Sequence, residues 1–184
     1  MVIRKTLPED IDDIMTLIGI TRENFRADGI PQWQGEYPSR ELIADDVARG
    51  ESYVCDIDGR VCGFCAVVGG IEPDYVKIYE GRWRNERQYI SLHRVAVDPK
   101  YKGCGIAAAM VSNAVRIARK TGILDIRCDT HRQNANMRRM LEKNGFEYCG
   151  IIYLCEDGAE RVAYHKIISQ SCEALPIKER SEYK

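Results

Sequence analysis

One segment, HRVAVDPKYKGCGIAAAMVSNAVRIARKTG, residues 93–122, does most to limit what this chain can become. It reads as a strand, a turn at Asp98-Pro99, the pair Gly103 and Gly105, and a helix rich in small residues that stops at Gly122. Ile106, Met110, Ala114 and Ile117 recur at helical spacing, and Arg116, Arg119 and Lys120 gather near the helix end that carries partial negative charge. A strand joined to a helix through a glycine turn implies helices layered on a sheet. The same turn brings several unpaired backbone N–H groups to one point, which suits a phosphate-bearing ligand. The chain contains no G-x-x-x-x-G-K-[ST] and no G-x-G-x-x-G after its first strand, so neither an ATP P-loop nor a dinucleotide fold is indicated.

The rest of the sequence fits one mixed α/β domain without repeats or linkers, residues 1–168, followed by a polar tail, residues 169–184. Val2-Ile3-Arg4 starts a short strand, and Thr6-Leu7-Pro8-Glu9 has the form of a capping box for a helix with Ile11, Ile14, Leu17 and Ile18 on one face. Residues 29–35 break that pattern as a loop, and Ser39 caps a second helix that Gly50 ends. Asp58-Gly59 between Ser52–Asp56 and Val61–Val68 predicts a hairpin. Residues 70–88, polar and irregular, read as a long functional or mobile loop. Tyr89–Val97 and Ile123–Cys128 are the next strands, on either side of the glycine-turn helix. Asn134 begins another helix that Gly145 stops, with Phe146 folding back, and Cys149–Cys155 and Arg161–Ile168 form a last hairpin.

Composition excludes some classes of function. With 27 basic and 28 acidic residues the net charge is −1, which gives no support to a nucleic-acid partner. No stretch has the length and apolarity of a signal peptide or a membrane span, so no membrane association is expected. The eight cysteines lie mostly inside apolar strand-like runs, which points to reduced, buried thiols in a cytoplasmic protein. Cys62 and Cys65, three apart on a strand, should point to opposite faces, and no second Cys or His pair completes a metal site. Cys104 stands at a helix start, where thiols become more acidic, although it also serves simply as filler between two glycines.

The 93–122 segment resembles the acetyl-coenzyme A signature of the GNAT superfamily of N-acetyltransferases, Arg/Gln-x-x-Gly-x-Gly/Ala after the fourth strand. Lys100 takes the Arg/Gln place, with Gly103 and Gly105 in register. Asn134, Met137, Met140, Leu141, Gly145 and Phe146 are similar to the family's Asn-x-x-Ala-x-x-Leu-Tyr-x-x-x-Gly-Phe helix, which flanks the coenzyme. The resemblance implies a GNAT fold: a twisted mixed sheet of six to seven strands, helices on both faces, splayed between Tyr89–Val97 and Ile123–Cys128. It also implies acetyl-CoA as cosubstrate. Val95, Ala96 and Val97 would hold the pantetheine arm through their backbone. The amides of Lys102, Gly103, Cys104, Gly105, Ile106 and Ala107 would hold the pyrophosphate, and Asn134, ahead of Met137, would contact the pantetheine or its carrier helix. Leu141 stands where such enzymes often carry a tyrosine that protonates the leaving thiolate, which leaves Tyr148 and Tyr153 as substitutes.

A general base must sit near the acyl carbon. His93 is expected on the face of Val95 and Val97, since alternate strand residues share a face, and imidazole titrates in a suitable range. Glu72, Asp74 and Glu80 are rivals, and Trp33, Tyr37 and Trp83 either wall a pocket or cover the core. His131 and His165 have no partner spacing. The reaction implied is direct attack of a primary amine, on a small molecule or a protein, on acetyl-CoA, with no nucleophilic triad. The alternative is a non-catalytic CoA-binding sensor or scaffold. The sequence does not fix the oligomeric state, although residues beyond Ile168 could pack on a second copy and so make a homodimer.

Overall fold

A computed structural model describes residues 1–169, so the rest of the tail, residues 170–184 with Cys172, lies outside the described residues. Seven strands form one sheet in the order β1-β2-β3-β4-β5-β7-β6. The strands are β1 (Val2–Lys5), β2 (Ser52–Ile57), β3 (Arg60–Gly69), β4 (Ile90–Val97), β5 (Asp125–Thr130), β6 (Glu147–Tyr153) and β7 (Glu160–Ile167). The helices are α1 (Ile11–Ala27), α2 (Arg40–Ala48), α3 (Ile106–Thr121) and α4 (Ala135–Lys143).

The local signals act largely as the sequence suggests. Asp58 and Gly59 take φ 52° and 80°, the left-handed pair that a tight hairpin turn requires. Ser39 Oγ accepts the Leu42 N–H at 3.2 Å and caps α2. The first cap differs from expectation. Thr6 is buried and its hydroxyl pairs with Ser52 Oγ at 2.7 Å, while Asp10, not Glu9, accepts the Leu7 N–H at 2.7 Å. The Arg4 guanidinium grips the Asp10 carboxylate at 2.7 and 2.9 Å and so fixes that carboxylate over the turn.

Side chains divide the sheet into two faces. α3 and α4 bury Ile106, Met110, Ala114 and Leu141 against Leu92, Ile126 and Tyr164. On the other face α1 and α2 bury Ile14, Leu17, Ile18 and Ile43 against Val54, Phe64 and Ala96. Beside them, over β6 and β7, the 70–88 segment forms its own small core: Tyr75, Trp83 and Tyr89 pack with Cys149, Ile152 and Ala163. Trp83 Nε1 donates to the Tyr75 carbonyl at 2.9 Å, and Tyr79 exchanges backbone hydrogen bonds with Ile151. This segment is therefore fastened to the sheet and not a free loop, and Trp83 belongs to its core.

Two bulges correct the alternation read from the sequence. An extra residue in β3, at Cys62, shifts the pairing from Cys55↔Gly63 to Asp56↔Val61. Cys62 and Cys65 consequently enter the same core cluster instead of diverging. Burial pushes the Cys65 thiol up to about 12, which makes it inert at neutral pH. Among the described residues no group of His, Cys, Asp and Glu is arranged to hold a metal ion. The second bulge, in β4, shapes the site.

Candidate active site

β4 and β5 run parallel but pair only at Ile90↔Ile126 and Ser91↔Arg127. Beyond Ser91 they diverge, so among the described residues the β5-facing edge of Leu92–Val97 has no strand partner. A gap outside the carboxyl ends of parallel strands is where α/β sheets take ligands. On the other side of β4 the pairing jumps from Phe64↔Ala96 to Ala66↔His93, which inserts one extra residue into β4. Arg94, at that point, holds φ 55°, a left-handed angle seldom adopted outside glycine. The bulge breaks the expected alternation. Val95 and Val97 pack with Ile90 and Leu92 toward α3, while His93 turns to the opposite face, its ring 5.9 Å from that of Tyr75.

A cleft of about 530 Å³ opens there. Its walls come from Leu92–Val95 of β4, Asp129 and Thr130 of β5, the α1–α2 loop with Trp33 and Tyr37, and the turn between β6 and β7. Trp33 stands edge-on between Phe25 and Tyr37, with ring centroids 5.7 and 6.5 Å away. Gln32 bridges the gap, its Oε1 accepting from Thr130, His131 and Asn134 at 3.3–3.4 Å. Asn134 and Met137 also line the cleft, and Asn134 Oδ1 caps α4 by accepting the Met137 N–H at 3.1 Å.

His93 Nε2 lies 3.1 Å from Glu72 Oε2. That hydrogen bond to His93 holds the Glu72 carboxyl below its usual range, so it stays ionised and can only accept. An accept-only carboxylate requires the proton on Nε2, so that in the neutral ring Nδ1 is the nitrogen left to act as a base. Asp129 accepts from the Tyr75 hydroxyl at 2.7 Å, and Asp74 accepts the Cys155 N–H at 2.7 Å, tying the 70–88 segment to the β6–β7 turn. Six carboxylates line the cleft: Glu36, Glu72, Asp74, Asp129, Glu156 and Asp157. Two guanidinium groups oppose them, and both are engaged: Arg94 with Asp46 at 2.7 Å, and Arg161 with Asp129 at 4.0 Å.

The glycine turn lies at the start of α3. Asp98 caps a short 3-10 turn, Pro99–Tyr101, by accepting the Lys100 N–H at 2.9 Å. The amides of Lys102 and Cys104 donate within the turn, to Pro99 and Tyr101 at 3.1 Å each. Those of Gly103, Gly105, Ile106 and Ala107 find no backbone acceptor among the described residues, as expected of a helix start. Gly103 and Gly105 take φ 85° and 82°, and a Cβ on either would meet no atom within 4 Å. The cradle is open on the side a phosphate would occupy, so these residues fit a pyrophosphate.

The structure separates two predicted residues from the rest. Tyr148, half exposed on β6, stacks edge-on against Tyr164 at 6.0 Å and does not line the cleft. Tyr153 stacks on Tyr79 at 5.2 Å instead. Sequence reasoning missed Gln32, Asp46, Arg94 and Arg161. The readable signal was weak: a lone arginine within an apolar strand and an acid on the apolar face of a helix.

A sequence profile of the Acetyltransferase (GNAT) family matches residues 18–146. A GNAT-family acetyltransferase structure from Streptococcus agalactiae superposes with a TM-score of 0.84 at 37% identity, covering 92% of this chain and 96% of that one. The spermidine N(1)-acetyltransferase of Thermoplasma acidophilum is 27% identical over 145 residues, 74% of this chain and 84% of that protein. The PaiA N-acetyltransferase of the same organism, solved in complex with coenzyme A, shares the fold with a TM-score of 0.66 at 22% identity, over 90% of this chain and 98% of its own.

Proposed function

The chain belongs to the acetyltransferase (GNAT) family, and from that premise we propose that it moves the acetyl group of acetyl-CoA onto a primary amine of a polycationic acceptor. The single observation that carries the acceptor class is the charge of the cleft: six carboxylates line it against two guanidinium groups already engaged. An amine bearing further positive charge would be drawn in and oriented there, and the aromatic walls of Trp33 and Tyr37 suit an alkylammonium chain. The related protein named as a spermidine acetyltransferase supports a polyamine as that acceptor.

In this reading the free amides of Gly103, Gly105, Ile106 and Ala107 hold the pyrophosphate, with Lys100 nearby. The unpaired edge of Val95, Ala96 and Val97 takes the pantetheine as an added strand would lie. His93 Nδ1 takes a proton from the ammonium, directly or through water, while Glu72 fixes the ring and stabilises the imidazolium that forms. The amine nitrogen then bonds to the thioester carbon, the carbon–sulfur bond breaks, and CoA leaves as a thiolate. Thiolate is a tolerable leaving group near neutral pH, so the reading needs no tyrosine at the Leu141 position.

Thiol release from acetyl-CoA, measured over a panel of di- and polyamines and of singly charged monoamines and aminoalcohols, tests the assignment. Polyamines should give the highest kcat/KM, and the advantage should shrink as salt rises. Equal rates for singly charged and polycationic amines would overturn the acceptor class, and CoA binding without any transfer would overturn the enzyme.

A further inference from the structure

Arg94 sits in a left-handed conformation that glycine or asparagine would adopt more readily, so its side chain should have work that those residues cannot do. That side chain is nine-tenths buried. It reaches Asp46 of α2 at 2.7 Å, and its Nη1 donates to the Tyr37 hydroxyl of the cleft wall at 3.3 Å. Asp46, itself 1% exposed, is also held by Arg49 at 2.8 Å. The arrangement is not tuned for stability alone, because among the described residues the buried Arg94 Nε has no hydrogen-bond partner and Asp46 Oδ2 meets Arg94 as a charge contact without hydrogen-bond geometry.

We infer that Arg94 is a positioning residue for acetyl transfer: through Asp46 and Tyr37 it ties the acceptor wall to the β4 bulge that turns His93 into the cleft. The inference rests on the cleft being the transfer site. Two pieces must keep register during reaction, the α1–α2 loop that holds the amine and the strand that holds the base. Arg94 touches both: it supplies the bulge through its backbone and contacts the wall through its guanidinium. The contacts of this tie join Arg94, Tyr37, Asp46 and Arg49 and include no residue of the glycine turn that would bind the coenzyme.

Arg94→Gly keeps the left-handed backbone accessible and removes the tie, while Asp46→Asn loosens it from the other end at constant shape. Both should bind CoA within about twofold of the unaltered protein yet lose about tenfold or more in kcat, since small misplacements of reacting groups cost that much. Added methylguanidinium should restore part of the rate to Arg94→Gly, and the double variant should be no worse than the weaker single one. Hydrogen exchange should quicken together at residues 31–38 and 93–96 in Arg94→Gly. Unchanged kcat in both variants, or parallel loss of CoA affinity and activity without rescue, would overturn the inference. If the unaltered protein acetylates no amine, the functional reading fails separately, and the exchange experiment alone decides the tie: exchange that quickens in one segment only refutes it.

Discussion

Replacing Gly105 with valine isolates the contribution of the turn backbone. A Cβ at Gly105 would meet no atom within 4 Å, so the first added carbon has space, and the cost arises from the φ of +82°. Left-handed backbone costs a residue with a Cβ about 1–2 kcal/mol, and branching adds to it. The turn should relax toward negative φ, which re-aims the amides of Gly105 and Ile106. For a chain of this size the strain corresponds to a fall in Tm of roughly 2–8 °C. The effect on coenzyme is larger. One hydrogen bond to a charged ligand contributes about 1.5–3 kcal/mol, so losing a single aimed amide weakens binding about 10- to 150-fold. Calorimetric titration with CoA, beside a thermal melt, reads both quantities. Wild-type affinity for CoA in Gly105→Val would refute the claim that this turn holds the pyrophosphate.

Gly81→Ala should be among the most damaging small substitutions, because its Cβ would lie 2.0 Å from the Cys149 carbonyl oxygen, a backbone atom that cannot move aside. A loss of roughly 3 kcal/mol or more is expected by urea unfolding, together with a fall in activity as the segment carrying Glu72 shifts; an unchanged midpoint would deny that residues 70–88 are fastened to β6. Asp10→Asn tests the Arg4 grip. The hydrogen bond from Arg4 holds the Asp10 carboxyl below its usual range. Its stabilisation is therefore complete above the unfolded carboxylate range near 3.9 and lost as pH falls through the lower folded value. With Arg4 partly exposed, the substitution should cost about 1–2 kcal/mol at pH 7, and the two proteins should converge in stability in strong acid. A gap that persists undiminished in acid would contradict this.

What the sequence revealed and what it hid follow a physical line. Helix faces, the Ser39 cap and the Asp58-Gly59 hairpin are local, each encoded within a few residues, and they appear where expected. So does the glycine turn, because positive φ at Gly103 and Gly105 is written in the residue type. Bulges are different. Whether Cys62 or Arg94 is the extra residue depends on the partner strand, so period-two reasoning placed Cys65 and His93 on the wrong faces. The 70–88 segment has no periodicity, so nothing in it announced that Tyr75 and Trp83 form a core with β6 and β7. The acidic character of the cleft was hidden for the same reason: Glu36, Glu72, Asp129 and Glu156 are far apart in sequence and converge only when the sheet splays. A net charge of −1 gave no hint of it.

A crystal structure with coenzyme A bound would settle how the cosubstrate lies. Its pyrophosphate should rest on the free amides of Gly103, Gly105, Ile106 and Ala107, its pantetheine beside the unpaired edge of β4, and its sulfur in the cleft next to His93. Coenzyme bound elsewhere, or a sulfur directed away from His93 and the acidic walls, would contradict this placement.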